Sequence, residues 1–295
     1  MTSIDSPQLA ALAAVVDEGS FEAAADVLHL TQPAVSQRIK ALESSVGQIL
    51  VRRTRPVTVT EAGRSYLRLA RQVSVLTDDA RREAAGSGAS GRSVVLPIAV
   101  NSDSLGSWVL PALAPLAAEI AFDLHREDEA HSAALLRDGS VIAAITTSQA
   151  PVQGCTVRRL GIMTYRVCAA RGFADRWFSG GATTATLAEA PVVVFDRKDD
   201  LQDAYLRARS VDPGTPPRHY VPSSADYADA VRLGMGWGLL TEPQCLDGLE
   251  SGALVELDPG RRTEVTLYWQ QWSLRTAALD RVSAAVHEAA ARHLR

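Results

Sequence analysis

Two sets of residues in this sequence carry enough chemistry to be read before any element is placed. The first is acidic. Arg126-Glu127-Asp128-Glu129-Ala130-His131 puts three acids in a row, Asp103 stands between Ser102 and Ser104, and Phe195-Asp-Arg-Lys-Asp-Asp-Leu-Gln202 repeats the charged theme, with Asp199 inside it. Adjacent carboxylates at one strand end are costly without a cation. The hydroxyls of Ser102 and Ser104, beside free N–H groups at a helix start, suit a carboxylate, and Thr146 and Thr147 offer hydroxyls at another strand end. Carboxylates at one end and hydroxyls with N–H groups at the other fit an amphoteric, cationic small molecule, and a basic amino acid has that charge layout. The acid run reads equally as a solvated turn. The second set is basic and amide-rich. Gln32, Ser36, Gln37 and Lys40 fall on one helical stripe, and Arg52, Arg53 and Arg55 follow. Gln pairs bidentately with adenine, and Lys or Arg reaches guanine or phosphate. Arg38 lies off the stripe, where backbone phosphate is its natural partner, and the later arginines suit phosphate or a narrow minor groove.

Other chemistries have weaker claims. Glu127 and Glu129 could form an acid/base pair, but neighbouring acids on one turn rarely meet opposed environments. The six histidines lack metal-ligand spacing, and neither GxSxG nor a Cys/His signature occurs. Gly234-Met-Gly-Trp-Gly238 follows a helix and precedes a strand, the reverse of a dinucleotide fingerprint, so it reads as a turn. The expectation is a protein that is not an enzyme and holds no metal and no cofactor.

The elements that must position these residues divide the chain in two. At 295 residues, two domains are expected, or three small ones. No run of about 18 apolar residues suggests a membrane span, and no secretory signal is visible at the start. Three cysteines without CxxC spacing read as free thiols, so a cytoplasmic location is expected. The net charge of -4 argues against nucleic acid only until its distribution is seen: between Thr31 and Arg71, eight basic residues face two acidic ones. A local basic stripe on an acidic chain suits a DNA-binding module, and equally a solvated basic face. With 28 arginines and two lysines, the Arg bias itself says little about recognition.

Apolar spacing predicts a helix over 7–17, stopped near Gly19, and a second from Phe21 to Leu28 capped by Ser20. A third starts after Thr31, with Pro33 in its first turn, and runs to Val46 and Gly47. Residues 48–60 read as a hairpin with a basic tip at Arg55-Pro56. Thr60 caps a long helix over 61–85, whose seam (Leu67, Ala70, Val73, Leu76, Ala80) suits a partner helix or its own domain. Two short helices, the second basic, followed by a hairpin describe a winged helix-turn-helix; a helical bundle with a solvated basic surface is the plainer reading. Gly86-Ser-Gly-Ala-Ser-Gly91 marks a hinge. Strands and helices alternate beyond it, which predicts a mainly parallel sheet covered on both faces.

The segment from Gly19 to Glu43, of the form GSF.AAA..L..TQPAVSQ.I..LE, and Leu50 to Gly63, of the form L.VR….V..T.AG, resemble the winged helix-turn-helix of LysR-type transcriptional regulators. Val51 stands where many members carry Phe. The resemblance covers the whole chain. It implies an α winged helix-turn-helix domain (1–60), a linker dimerisation helix and hinge (61–91), and a two-lobed α/β effector domain resembling periplasmic binding proteins. Lobe I would comprise 92–164 and 266–295, and lobe II 165–265. The DNA contacts would be Thr31, Gln32, Pro33, Ser36, Gln37, Arg38, Lys40, Arg52, Arg53 and Arg55.

Ala99 to Trp108, Arg126 to Gly139, Lys198 to Asp203, and the stretches containing GWGLL, Trp269 and Trp272 are further similar to the arginine- and lysine-responsive subfamily, which switches on export of basic amino acids. That resemblance implies L-lysine or L-arginine as effector. Asp103, Glu127 and Glu129 would meet its cationic groups, with Asp128 and Asp199 nearby. Ser102, Ser104, Thr146 and Thr147 would meet the α-carboxylate and amine, and Trp108 would be cleft wall or core. The implied partners are double-stranded DNA carrying an interrupted palindrome, RNA polymerase, and copies of the chain in a homodimer or homotetramer, with no membrane. Two alternatives are a regulator of this type answering another metabolite, and a solute-binding protein with an unrelated helical N-terminus.

Overall fold

The computed structural model describes residues 4–85, 94–127 and 129–295. The predicted hinge at 86–91 and Asp128 lie outside the described residues, as does the side chain of Glu129.

Three short helices open the chain: α1 (Ser6–Asp17), α2 (Phe21–Leu28) and α3 (Gln32–Val46). Ser20 caps α2 by accepting from the Ala23 N–H at 3.1 Å, and Thr31 caps α3 by accepting from the Ala34 N–H at 3.4 Å. His29 and Gly47, both left-handed, end α2 and α3. Each cap satisfies a donor that the first turn leaves open. Leu9, Leu12, Val15, Ala24, Val35, Ile39 and Leu42 close one small core. The wing follows as β1 (Val51–Arg52) and β2 (Thr58–Val59), antiparallel with Val51 opposite Val59. Glu43 ties α3 to this wing: its carboxylate accepts from the Leu50 N–H at 2.8 Å and the Val51 N–H at 3.4 Å.

Thr60 caps α4 (Glu61–Ala85) by accepting from the Gly63 N–H at 3.0 Å. Gly63 is required by close approach, because a Cβ there would lie 2.1 Å from the Leu50 carbonyl oxygen. The expected apolar seam divides. Leu67 and Ala70 are buried in the chain's own N-terminal core, with Val73 packed beside them, while Leu76 and Ala80 stay exposed. The first turns of α4 complete a core that three short helices cannot close alone, which leaves only the later turns for a partner.

The second part begins with β3 (Val94–Val100). A continuous helical run follows: α5 (Ser102–Ser104), a π turn (Leu105–Val109), α6 (Leu110–Leu113) and a 3₁₀ turn. Next come β4 (Ile120–Arg126), α7 (Glu129–Asp138) and β5 (Ala143–Thr146). β6 (Cys155–Ala170) then leads into α8 (Arg171–Trp177), α9 (Thr184–Glu189), β7 (Val192–Val194), α10 (Leu201–Ala208) and β8 (Arg218–Tyr220). The rest is α11 (Ser224–Arg232), β9 (Gly238–Thr241), α12 (Glu242–Glu250), β10 (Leu254–Glu256), β11 (Thr263–Trp272) and α13 (Ala277–His293).

The sheet is mixed, not mainly parallel. β3 runs parallel to β4 and β5, and β7 to β8, but β6 and β11 are antiparallel to each other and to their other neighbours. The reason is topological. β6 carries the chain out of the first lobe and β11 brings it back alongside, so the pair must run in opposite directions. The sheet order β10-β6-β11-β5-β3-β4, with β9 also on β6, is one continuous ribbon through both lobes. Register slips at a bulge between Leu267 and Tyr268, opposite Gly161. The lobe limits expected at 164/165 and 265/266 fall inside these two crossing strands. Trp108, Trp269 and Trp272 fill the core of the first lobe.

Candidate nucleic-acid interface and ligand cleft

On α3, the stripe opposite Val35, Ile39 and Leu42 is solvent-facing: Gln32, Pro33, Gln37 and Lys40 are exposed, as is Thr31 at the cap, while Ser36 and Arg38 are half-buried. Arg52, Arg53 and Arg55 are exposed on the wing, and Arg53 stacks over the Phe21 ring at 5.0 Å. Among the described residues, none of Arg38, Lys40, Arg52, Arg53 and Arg55 forms an ion pair. Arg64 and Arg71, by contrast, are paired with Glu61 and Asp17. The positive charge is thus left open on the face made by α3 and the wing. A helix of this width fits the major groove, with the wing beside it.

Between the lobes lies a cavity of about 580 Å³. Strand ends bring most of its lining. Asn101, Ser102 and Asp103 follow β3, Arg126 and Glu127 end β4, and Thr147 follows β5. The opposite wall is Phe195, Asp196, Lys198, Asp199, Asp200 and Gln202, with Tyr227 of α11. Tyr165 of β6 lies between them.

Asp103 is the best-anchored acid. It accepts from the Tyr165 hydroxyl at 2.8 Å and from the Ser224 hydroxyl at 2.6 Å, so it touches the opposite lobe. Ser224 in turn accepts from Gln244 at 2.9 Å, whose amide oxygen accepts from the Thr241 N–H. A carboxylate has about four acceptor sites, so two remain for a ligand. Asp199 accepts from the Phe195 and Leu201 N–H groups at 3.3 and 3.0 Å. Burial pushes its pKa up despite those bonds, and the charges of Asp103 and Asp196 push the same way. Gln202 donates to the Tyr227 hydroxyl at 2.8 Å, which also accepts from the Leu239 N–H. Burial raises the Tyr227 pKa well above the ordinary phenol value, so this residue is a neutral hydrogen-bonding post. The buried amide oxygens of Asn101 and Gln202 find no partner among the described residues.

The cavity brings together Ser102, Asp103, Glu127, Thr147 and Asp199 from the residues expected by sequence. Ser104, Thr146 and Trp108 lie outside its lining. Ser104 and Trp108 are buried under the helical run, and Thr146 is buried on the opposite sheet face, where Gln270 donates to it at 3.4 Å. Successive strand side chains point to opposite faces, so at this strand end only Thr147 belongs to the cleft. Sequence reasoning missed Tyr165, Gln202 and Tyr227, and passed over Arg126 and Lys198 inside stretches it had already singled out. The two cations were masked by the acids beside them. Tyr165 sits mid-strand with no local signal.

A winged helix-turn-helix on a long helix, followed by a two-lobed cleft domain, defines the class of ligand-responsive DNA-binding regulators. Residues 7–64 match the bacterial regulatory helix-turn-helix proteins of the lysR family, and residues 89–291 match the LysR substrate binding domain. The chain belongs to the LysR family. Over 288 residues it is 41% identical to the lysine export transcriptional regulatory protein LysG of Corynebacterium efficiens, covering 96% of this chain and 97% of that one. The crystal structure of ArgP from Mycobacterium tuberculosis superposes with a TM-score of 0.89 at 42% identity, covering 98% of each chain. Full-length LysG of Corynebacterium glutamicum with bound effector Arg superposes with a TM-score of 0.82 at 37% identity, covering 99% of each chain.

Proposed function

We propose that this LysR-family regulator senses L-lysine, L-arginine or both in the cleft between its lobes and activates transcription of a basic amino acid exporter gene. The observation that carries this reading is the charge of the cavity. Among the described residues, Asp103, Glu127, Asp196, Asp199 and Asp200 share its lining with Arg126 and Lys198, and Asp200 is paired with Arg207 at 3.0 Å. The four other carboxylates against two cations favour a ligand with net positive charge, and the two cations provide for its α-carboxylate. The arginine bound to the Corynebacterium glutamicum relative and the lysine-export role in the name of the Corynebacterium efficiens relative support the same choice.

The site assigned here is Asp103, Glu127 and Asp199 for the cationic groups, and Arg126, Lys198, Ser102 and Thr147 for the carboxylate. DNA would be read by Gln32, Ser36, Gln37 and Lys40 in the major groove, with Arg38, Arg52, Arg53 and Arg55 on phosphate or minor groove. Two such heads, joined through the exposed turns of α4 around Leu76, would read an interrupted palindrome in a homodimer, or in a homotetramer built through the cleft domains. Ligand binding would shift the population of lobe closures and so change how RNA polymerase meets the promoter. The protein would act in the cytoplasm, without catalysis. No described helix is long and apolar enough to cross a membrane.

The test is thermal unfolding of the full chain against each amino acid at millimolar concentration. A ligand at about 100 times its Kd stabilises by about 2.7 kcal/mol. A rise confined to lysine and arginine is expected. No rise with either, from protein that binds DNA in a salt-dependent way, would overturn the choice of effector and leave the regulator.

A further inference from the structure

Arg71 of α4 adds a polar clamp across three packed elements, α1, α4 and α7. Its guanidinium pairs with Asp17, the last residue of α1. It also donates to the Asp138 carbonyl at 3.5 Å and to the Ser140 hydroxyl at 3.3 Å. Asp138 is the last residue of α7, and its carboxylate accepts from the Ser140 N–H at 2.8 Å, which fixes that turn. Two helix C-termini therefore converge on one cation. Each carries about half a negative charge, and Asp17 adds a full one, so the guanidinium is where the fold needs it.

The surrounding contacts are tight. Gly139 has φ +82, and a Cβ there would lie 3.0 Å from the Arg68 Cα. The Arg68 guanidinium sits 6.0 Å from the Trp272 ring and donates to the Cys155 sulfur at 3.7 Å. No slack separates α4 from the first lobe here. The other end of α7 begins two residues after Glu127, which lines the cleft. A ten-residue helix is about 15 Å long and moves as a rod. α7 thus runs from the ligand cleft to Arg71, and Arg71 grips the helix α1 that packs on the base-reading helix α3.

We propose that Arg71 is the positioning residue that couples the cleft to the DNA-reading head: a shift of α7 on ligand binding reaches α1 through this clamp. The proposal rests on the reading of the cleft as a basic amino acid site. Coupling of this kind requires a contact that differs between the two ligation states, and the clamp is a charged contact that reaches from the first lobe to α1 of the DNA-reading head.

The experiment is amide hydrogen exchange on the full chain with and without saturating L-arginine and, separately, L-lysine. Wild type is expected to show protection in the cleft segment 100–105 and a ligand-dependent change in α1. In Arg71→Gln the cleft protection should remain and the α1 response should fall by at least half. Arg71→Lys should restore part of it, and Ser140→Ala, which leaves the Asp17 pair intact, should weaken it. A merely structural role would alter exchange in α1 equally with and without ligand. An unchanged α1 response in both Arg71→Gln and Ser140→Ala overturns the proposal, as does a wild type protected in the cleft but silent in α1. Absence of cleft protection with either amino acid would overturn the effector assignment, and this proposal with it.

Discussion

Replacing Asp103 by Asn tests the cleft chemistry most directly. The substitution keeps size and one acceptor oxygen but removes the charge. In the native site the carboxylate accepts from Tyr165 and Ser224, leaving two acceptor positions for a ligand cation. A hydrogen bond to a charged group contributes about 1.5–3 kcal/mol, so about 2 kcal/mol of ligand binding should be lost, or about 30-fold in Kd. At an arginine concentration of about 100 times the native Kd, the stabilisation should drop from about 2.7 to about 0.9 kcal/mol. For a cleft domain of this size the unfolding midpoint moves about 2–4 °C per kcal/mol, so the loss is readable by calorimetric scan. The unliganded variant should unfold within a few degrees of wild type, because only one of two neutral donors loses its acceptor. Titration calorimetry supplies the affinity itself. An Asp103→Asn protein that binds arginine and lysine within twofold of wild type would refute the assignment of this carboxylate to the ligand cation.

Three further outcomes follow from the same structure. Burial holds the Asp199 pKa above the ordinary aspartate value, and a cationic ligand favours its ionised form, so arginine affinity should fall as pH drops through that raised value and binding there should release protons; calorimetry in buffers of different ionisation enthalpy measures this, and Asp199→Asn should abolish it. Gly63→Ala should destabilise the DNA-binding head by about 1–3 kcal/mol, since the added carbon meets the Leu50 carbonyl at 2.1 Å; thermal unfolding of that head should drop while arginine still protects the cleft. On the DNA side, Arg38→Ala and Arg52→Ala should each lower the salt dependence of binding by about 0.9 in log–log slope for each phosphate contact removed, whereas Gln32→Ala and Ser36→Ala should relax sequence preference with the slope unchanged; competition assays at several salt concentrations separate the two.

How far the sequence could be read depended on whether a feature was local. Ser20, Thr31 and Thr60 as caps, Gly47 as a stop and the exposed stripe on α3 are consequences of neighbouring residues, and the structure places them as the spacing implied. Asp103, Glu127 and Asp199 were legible as charge at strand ends. Tyr165 and Tyr227 were not, since their polar ends meet the site only after strand β6 and helix α11 are packed. The full length of β6 is not legible either, because Thr156-Val-Arg-Arg159 alternates weakly and gives no sign that one strand of 16 residues spans two lobes. The mixed sheet was missed for the same reason: strand direction is fixed by the return of β11, about a hundred residues later. Thr146 and Ser104 were placed one position out of phase with the face that meets the cleft.

The return of β11 also bears on how the protein is made. β5 pairs with β3 on one side, and on the other only with β11, which alone bridges β5 to β6. During synthesis at roughly 5–20 residues per second, on the order of ten seconds separate the emergence of β5 from that of β11. Throughout that interval the first lobe has an open edge in the middle of its sheet, a template for any stray strand. The second lobe, from α8 to β10, fills the same interval, so its prompt folding brings β11 back beside β5. Slow maturation of the second lobe should therefore show itself as aggregation nucleated at the first.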